Sequence, residues 1–255
     1  ATGSDPHARF VIELEGTGTL LLDYVSLFPE TFRNRINGLR NDIAQTLEAL
    51  HPAFVRWPGG CIVEGIDLSN RIEWKKTIGD PKNRPGIYDT WGYRATMGFG
   101  YHEFLQFCED IGAAGMFVCN AGIGCQGRVG DACREEDLDA FIQDALDAID
   151  YALGDGTTEW SRKRVENGHP EPFPLQYVEI GNENWGPVYE KRYDRFYRAI
   201  KAKYPRLTLI STLGLGGQHR HERVDMIDPH WYVAPEFFLS SSRLFDQQER
   251  GGYAV

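Results

Sequence analysis

No stretch of this 255-residue chain comes near the roughly 20 consecutive apolar residues that a membrane-spanning helix requires. Positive charge is also scarce. The chain has 27 Lys and Arg against 37 Asp and Glu, a formal net charge of -10, and phosphate binding needs clustered cations. Neither a membrane nor a nucleic acid is therefore expected as a partner. Cysteine is sparse and odd in number, so at least one thiol stays unpaired within the chain. The spacing of Cys61, Cys108, Cys119, Cys125 and Cys133 fits neither a CxxC zinc pattern nor a disulfide scaffold, and most of them read as small buried apolar residues. Internal repeats and low-complexity tracts are missing. No secretory leader is visible at Ala1, and the opening ten residues read as a processed end, which leaves export open.

What remains is the composition of a globular protein with a core, 42% hydrophobic and 25% charged. The spacing of Val11, Glu13 and the Gly16-Thr17-Gly18 turn predicts a hairpin, followed by a more buried strand over Leu20 to Val25. Strand, loop and helix then alternate. Strands are expected near 21–26, 54–57, 116–120, 176–181, 207–212 and 226–231. Between them lie helical stripes: Ile43, Leu47 and Leu50; Phe104, Leu105, Cys108 and Ile111; Leu138, Phe141, Ile142, Ala145, Leu146 and Ile149; and a basic helix ended by Pro205. Apolar strands alternating with amphipathic helices predict an α/β protein with a parallel sheet covered by helices. The connection from Gly59 to Gly100 is long and rich in aromatics and Arg, the kind of loop that carries function.

Polar residues gather where the expected strands end: Glu64 shortly after Pro58-Gly59-Gly60-Cys61, Asn120, the run Asn182-Glu183-Asn184-Trp185, and His230-Trp231-Tyr232. In a (β/α)8 barrel the reacting groups sit at the C-terminal ends of the strands, and amides, carboxylates and aromatic plates at one rim suit a sugar. Glycoside hydrolysis needs a carboxylic acid to protonate the leaving oxygen, and Glu183, flanked by two amides, suits that role. A solvated turn is the alternative, and local pattern alone does not choose between them. The Gly122–Gly127 run "GIGCQG" matches a dinucleotide fingerprint only formally, because no helix starts inside it. His219 and His221 make a weak metal pattern, and Trp74 and Trp91 suit either sugar stacking or burial.

The stretches "RWPGGCIVEG", "GNENWG", "SLFPETF" and "CEDIGA", with the segment from Asn37 to Gly60, resemble glycoside hydrolase family 51, the α-L-arabinofuranosidases of the clan A barrels. The likeness runs from about Leu20 to Val255. It implies a (β/α)8 TIM-type barrel over residues 20–255 with only about six strands present and the C-terminal part missing, while residues 1–19 would be the end of a preceding β domain or a linker. It further implies a retaining enzyme that removes terminal α-L-arabinofuranosyl residues, with Glu183 at the end of the fourth strand as general acid/base and no metal or cofactor. Asn182 would bind the 2-hydroxyl, and Asn120, Tyr232, His230 and Trp185 would lie near the sugar. Cys61 stands where many members have Asn. Glu64 would contact sugar or, the favoured reading, pair with Arg84 or Arg94. The family's second Glu has no counterpart: Gly252 stands in its place only by a forced match that lacks the preceding apolar strand, Glu249 in a polar run is a poor substitute, and Glu236 is expected to start a helix. A C-terminal segment or a second chain is expected to complete the barrel, an oligomer is compatible with this, and the substrate class favours a secreted or periplasmic protein. The rivals are an endo-acting glycosidase of the same clan, an endoglucanase or endoxylanase, and an inactive carbohydrate-binding fragment.

Overall fold

The computed structural model describes residues 5–212 and 223–246. Its centre is a five-stranded sheet of β1 (Phe54–Trp57), β4 (Ala114–Cys119), β5 (Leu175–Ile180), β6 (Thr208–Ser211) and β7 (Met226–Ile227), every neighbouring pair parallel and in chain order. Sequential parallel pairing is the wall of a (β/α) barrel. β2 (Ile87–Tyr88) and β3 (Arg94–Ala95) form a small separate hairpin inside the long connection.

Each strand alternates between two environments, as the two-residue period of a strand demands. Trp57, Phe117, Cys119, Val178, Ile180 and Leu209 point to the helices and join the main core. Against them pack α2 (Tyr101–Ile111), α3 (Leu138–Leu153) and α5 (Pro187–Lys203). The α3 stripe is placed as its spacing predicts: Leu138, Ile142, Ala145 and Ile149 are buried, with Phe141 and Leu146 packed at the margin. Gly112, in the left-handed region, stops α2. The opposite strand faces, carrying Phe54, Arg56, Met116, Tyr177 and Ile210, line the concave side, an open cleft of about 520 Å³.

Several expectations are corrected. Residues 5–30 contain no strand, so neither the hairpin around Val11 and Glu13 nor the strand over Leu20 to Val25 is formed, and Leu21 is 90% exposed. A strand gains its hydrogen bonds only from a neighbour, and nothing among the described residues pairs with this segment. Glu183 therefore follows the third strand of the described sheet rather than a fourth. The expected strand at 226–231 shrinks to Met226–Ile227, leaving His230 and Tyr232 in the loop beyond it. The first helix, α1 (Asn41–Ala49), is present, but its stripe of Ile43, Leu47 and Leu50 is largely exposed and Ala44 takes the buried place. The sequence reading missed α4 (Glu159–Glu166), which is polar on nearly every side; the expected helix at Glu236 is α6 (Pro235–Ser240), with Glu236 in its first turn. His219, His221, Glu249 and Gly252 lie outside the described residues.

The long connection is held rather than free. Trp74 is buried edge-on to Tyr101 and Trp160, at ring distances of 5.2 and 5.0 Å. Arg84 reaches across to the first turn of α2, donating to both oxygens of Glu103 at 2.7 and 3.0 Å and to the Met97 and Gly79 carbonyls. Both partners are almost fully buried. Breaking such a pair strands a charge in the interior, which costs about 3–5 kcal/mol. Glu103→Ala is therefore expected to lower the unfolding free energy by about that amount, read from urea denaturation. A loss below about 1 kcal/mol, the range of surface pairs, would show that the loop is anchored elsewhere.

Candidate active site

The turn after β5 is built by shape before chemistry. Gly181 has φ +80°, and a Cβ there would sit 2.4 Å from Asn184 Oδ1 and 3.1 Å from the Tyr189 ring, so only glycine lets the chain turn this tightly out of the sheet. Tyr189, from α5, donates to the Ile180 carbonyl at 2.7 Å and accepts from the Thr212 amide at 3.0 Å, tying together the ends of β5 and β6. Thr212 Oγ1 donates to the Asn184 carbonyl at 2.9 Å and accepts from its amide at 3.1 Å. Glu183 itself has φ +47°, an uncommon value for a residue with a side chain, held by these flanking bonds.

Under the turn lies a buried polar lattice. Arg56, pointing inward from β1, donates to both oxygens of Glu179 at 2.6 and 2.8 Å and to Asn182 Oδ1 at 2.9 Å. Burial opposes the Arg56 charge, but the Glu179 carboxylate outweighs it and the guanidinium pKa is raised; burial raises that of Glu179. Asn182 and Asn184 each donate to one oxygen of Glu64, at 3.0 and 2.8 Å. Glu64 is 1% exposed, and burial, only partly offset by the Asn182 amide, lifts its pKa to about 7. The expected ion pair of Glu64 with Arg84 or Arg94 is not formed, since Arg84 is committed to Glu103 and Arg94 donates to the Pro85 carbonyl.

Above the lattice opens a cavity of about 520 Å³, with Glu64 and Glu183 on its lining beside Cys61, His230 and Tyr232. Its walls include Trp91, brought over by the long connection, and Trp185, both more than half exposed. His230 Nδ1 lies 2.9 Å from Glu183 Oε1, its Nε2 lies 2.9 Å from Asp228 Oδ2, and the Tyr232 hydroxyl donates to the same Glu183 oxygen. Cys61 Sγ is 3.9 Å from Glu183 Oε2. Burial pushes the Glu183 carboxyl upward, but Tyr232 and His230 outweigh it and hold its pKa below the ordinary value. Asp228, helped by Glu183 and opposed by burial, lifts His230 to about 9. The imidazole is thus a cation at neutral pH, facing Asp228, Glu183 and Glu179.

Glu183, Glu64, Cys61, Trp185, His230 and Tyr232 are thus brought together. Asn182 is fully buried and serves Arg56 and Glu64, with one amide hydrogen to spare. Asn120 is not on the cavity. Its amide donates to the Val63 and Ile123 carbonyls and accepts from the Gly122 and Ile123 amides, which leaves no capacity for a sugar and makes it a clamp for the loop after β4. Of the two tryptophans left open, Trp91 reaches the cavity and Trp74 goes to the core. Sequence reading missed Arg56, Glu179, Asp228 and Gln126. The signal for the first two was there: a charged residue inside an otherwise apolar strand. Gln126, from the "GIGCQG" loop, accepts from the Trp185 amide at 2.8 Å and donates to its carbonyl at 3.1 Å. No helix begins in that loop; the next helical turn is the short 3-10 segment Glu135–Asp137, which leads into α3.

A carboxylate held at the C-terminal rim of a sequential parallel sheet, over an aromatic-walled cavity, is the architecture of the barrel glycosidases. Within that class the chain belongs to the α-L-arabinofuranosidase family, whose model, described as Alpha-L-arabinofuranosidase 1 domain, matches residues 46–250. It is 39% identical to an extracellular exo-α-L-arabinofuranosidase of Streptomyces chartreusis, over 92% of this chain and 31% of that protein. It is 38% identical to α-L-arabinofuranosidase 2 of Arabidopsis thaliana, over 99% of this chain and 37% of that protein. An arabinose-bound α-L-arabinofuranosidase of glycoside hydrolase family 51 superposes with a TM-score of 0.82 at 37% identity, covering 89% of this chain and 36% of that one. The arabinofuranosidase of Thermotoga maritima, at 23% identity and a TM-score of 0.65, shares the fold, over 88% of this chain and 46% of its own. The chain spans about a third of the length of these curated relatives.

Because the folded pKa of His230 is raised from 6.5 to about 9, its ion pairs contribute fully below about pH 6.5, and the contribution is lost as pH rises through about 9. The imidazole resonances of His230 are expected to titrate with a midpoint near 9, and Asp228→Asn to bring that midpoint down toward 6.5. A midpoint unmoved by Asp228→Asn would assign the shift to Glu183 instead.

Proposed function

We propose that this chain forms the acid/base side of the catalytic barrel of a retaining exo-α-L-arabinofuranosidase, with Glu183 protonating the leaving glycosidic oxygen and then deprotonating the water that releases the sugar. The observation that carries this reading is the placement of Glu183: its carboxylate emerges from a fixed turn at the strand rim into the cavity, gripped by His230 and Tyr232. The retaining cycle passes through a covalent glycosyl-enzyme on a second carboxylate, and the first residue switches from acid to base. In the cluster as it stands, Glu183 is ionised, the state needed to deprotonate water. The acid state requires a further negative charge nearby, which a second, nucleophilic carboxylate supplies through like-charge repulsion. Tyr232 and cationic His230 orient the carboxyl, and the aromatic walls give a furanose face something to pack on.

The arabinose preference rests on the family and on the arabinose-bound relative; the exo mode rests on the name of the Streptomyces relative. No second carboxylate among the described residues around Glu183 is free for a nucleophile's work. Glu64 is held by Asn182 and Asn184, Glu179 by Arg56, and Asp228 by His230. The nucleophile would come from a segment that completes the barrel on the open side of the sheet.

Release of p-nitrophenol from the aryl α-L-arabinofuranoside tests both parts. The 255-residue chain alone is expected to turn over weakly. In a form with robust turnover, Glu183→Gln should lower kcat/KM by about 10²–10⁴, the range of general acid–base catalysis, on an alkyl or sugar arabinofuranoside whose leaving oxygen needs the proton, and by much less on the p-nitrophenyl one. Robust turnover by the chain alone, abolished by Glu183→Gln, would mean the nucleophile is within it. Turnover of the alkyl or sugar arabinofuranoside indifferent to Glu183→Gln would remove Glu183 from the mechanism.

A further inference from the structure

Two of the five cysteines meet on the floor of the cavity. Cys61 comes from the short helical turn after β1, and Cys125 from the loop after β4. Both are buried, neither is in a disulfide, and both line the cavity. Cys61 Sγ, Cys125 Sγ and a carboxylate oxygen of Glu64 all lie within 4.8 Å of one another. At Zn–S of about 2.3 Å, two sulfurs on one tetrahedral ion stand roughly 3.8 Å apart, so a small closure of the thiols meets the geometry.

We propose that Cys61, Cys125 and Glu64 form a binding site for a thiophilic divalent cation of the zinc and cadmium class, opening into the cavity beneath Glu183. The donor set is two soft sulfurs and one carboxylate, with the fourth position facing the cavity, where water completes a tetrahedron. Arg128 donates from Nη1 to Cys125 Sγ at 2.9 Å. Two thiolates and a carboxylate around a divalent ion carry one net negative charge, and that guanidinium balances it. Each Glu64 oxygen accepts one amide from Asn182 or Asn184, which fixes the carboxylate's orientation and leaves lone pairs for a metal. The other cluster of metal-capable side chains among the described residues, Glu179, Asp228 and His230, does not compete, because Arg56 already occupies both oxygens of Glu179.

Binding replaces both thiol protons, so affinity rises with pH. A cation seated here lies next to Glu183, whose Oε2 is 3.9 Å from Cys61 Sγ, and takes the space a sugar would use. A bound cation therefore competes with sugar for the cavity, while the site's existence does not depend on the chain being an active glycosidase.

The test is titration of the reduced, metal-free 255-residue chain with Cd²⁺. The expected result is an ultraviolet cadmium–thiolate band saturating at one ion per chain, absent in Cys61→Ser and in Cys125→Ser and retained in Cys133→Ser. Glu64→Gln should weaken affinity by about 10–100-fold or more, since outer-sphere losses alone reach that range. Far-UV circular dichroism checks that each variant is folded. A ¹¹³Cd NMR shift on the unaltered chain counts the sulfurs directly, which keeps the test decisive if a variant does not fold: a two-sulfur shift supports the site. A shift from one sulfur or none, or a band that survives Cys61→Ser in a folded variant, overturns it.

Discussion

One buried ion pair holds the site in register. Arg56 and Glu179 sit opposite each other on the concave face of the sheet, on strands separated by β4, and the same guanidinium reaches Asn182. Its geometry is bidentate, which repays in direction what burial costs in solvation. From Asn182 the lattice continues to Glu64 and Asn184, and from Asn184 to Thr212 at the end of β6. Three segments distant in sequence are thereby fixed to one another within a few hydrogen bonds, and Glu183 is the one carboxylate of the turn left pointing into open space. Were Arg56 apolar, Glu179 and Asn182 would lose their shared donor and the turn its reference point.

The charge pattern around the cavity follows from that lattice. Glu64 is buried, and burial, with a smaller contribution from the nearby Glu183 charge, lifts its carboxyl to about 7. Glu183, partly open and gripped by a cationic imidazole and a phenol, stays ionised. Carboxyls in one cavity are thus set to different protonation states by burial and partners alone, the arrangement acid–base chemistry uses. The same floor carries two thiols, which contribute little hydrogen bonding to a sugar and much affinity to a soft metal.

The concave side of the sheet shows the complementary constraint. Its helix-facing residues are packed to closure, whereas Phe54, Arg56 and Tyr177 face an open cleft, and Phe54 at the β1 edge is 47% exposed. In a closed barrel such residues fill the interior in layers. The predicted strand over Leu20 to Val25 found no counterpart among the described residues, because a strand exists only through its hydrogen-bonded neighbours.

What the linear chain determined by itself was local and periodic. The α2 and α3 stripes, the four apolar strands from β1 to β6, the stop at Gly112 and the polar run at Asn182-Glu183-Asn184 follow from side-chain spacing and backbone preference, which need no partner. Family likeness added the expectation that Glu183 is the acid/base and that His230 and Tyr232 lie near the sugar. Only the tertiary structure decided the rest: that Asn120 clamps a loop, that Glu64 is pinned by amides instead of an arginine, that Trp91 and not Trp74 reaches the cavity, and that Cys61 meets Cys125. Those outcomes depend on which loops converge at the rim and which donors are already taken. That is a property of three-dimensional proximity and saturated hydrogen-bond valence, and spacing along one chain does not encode it.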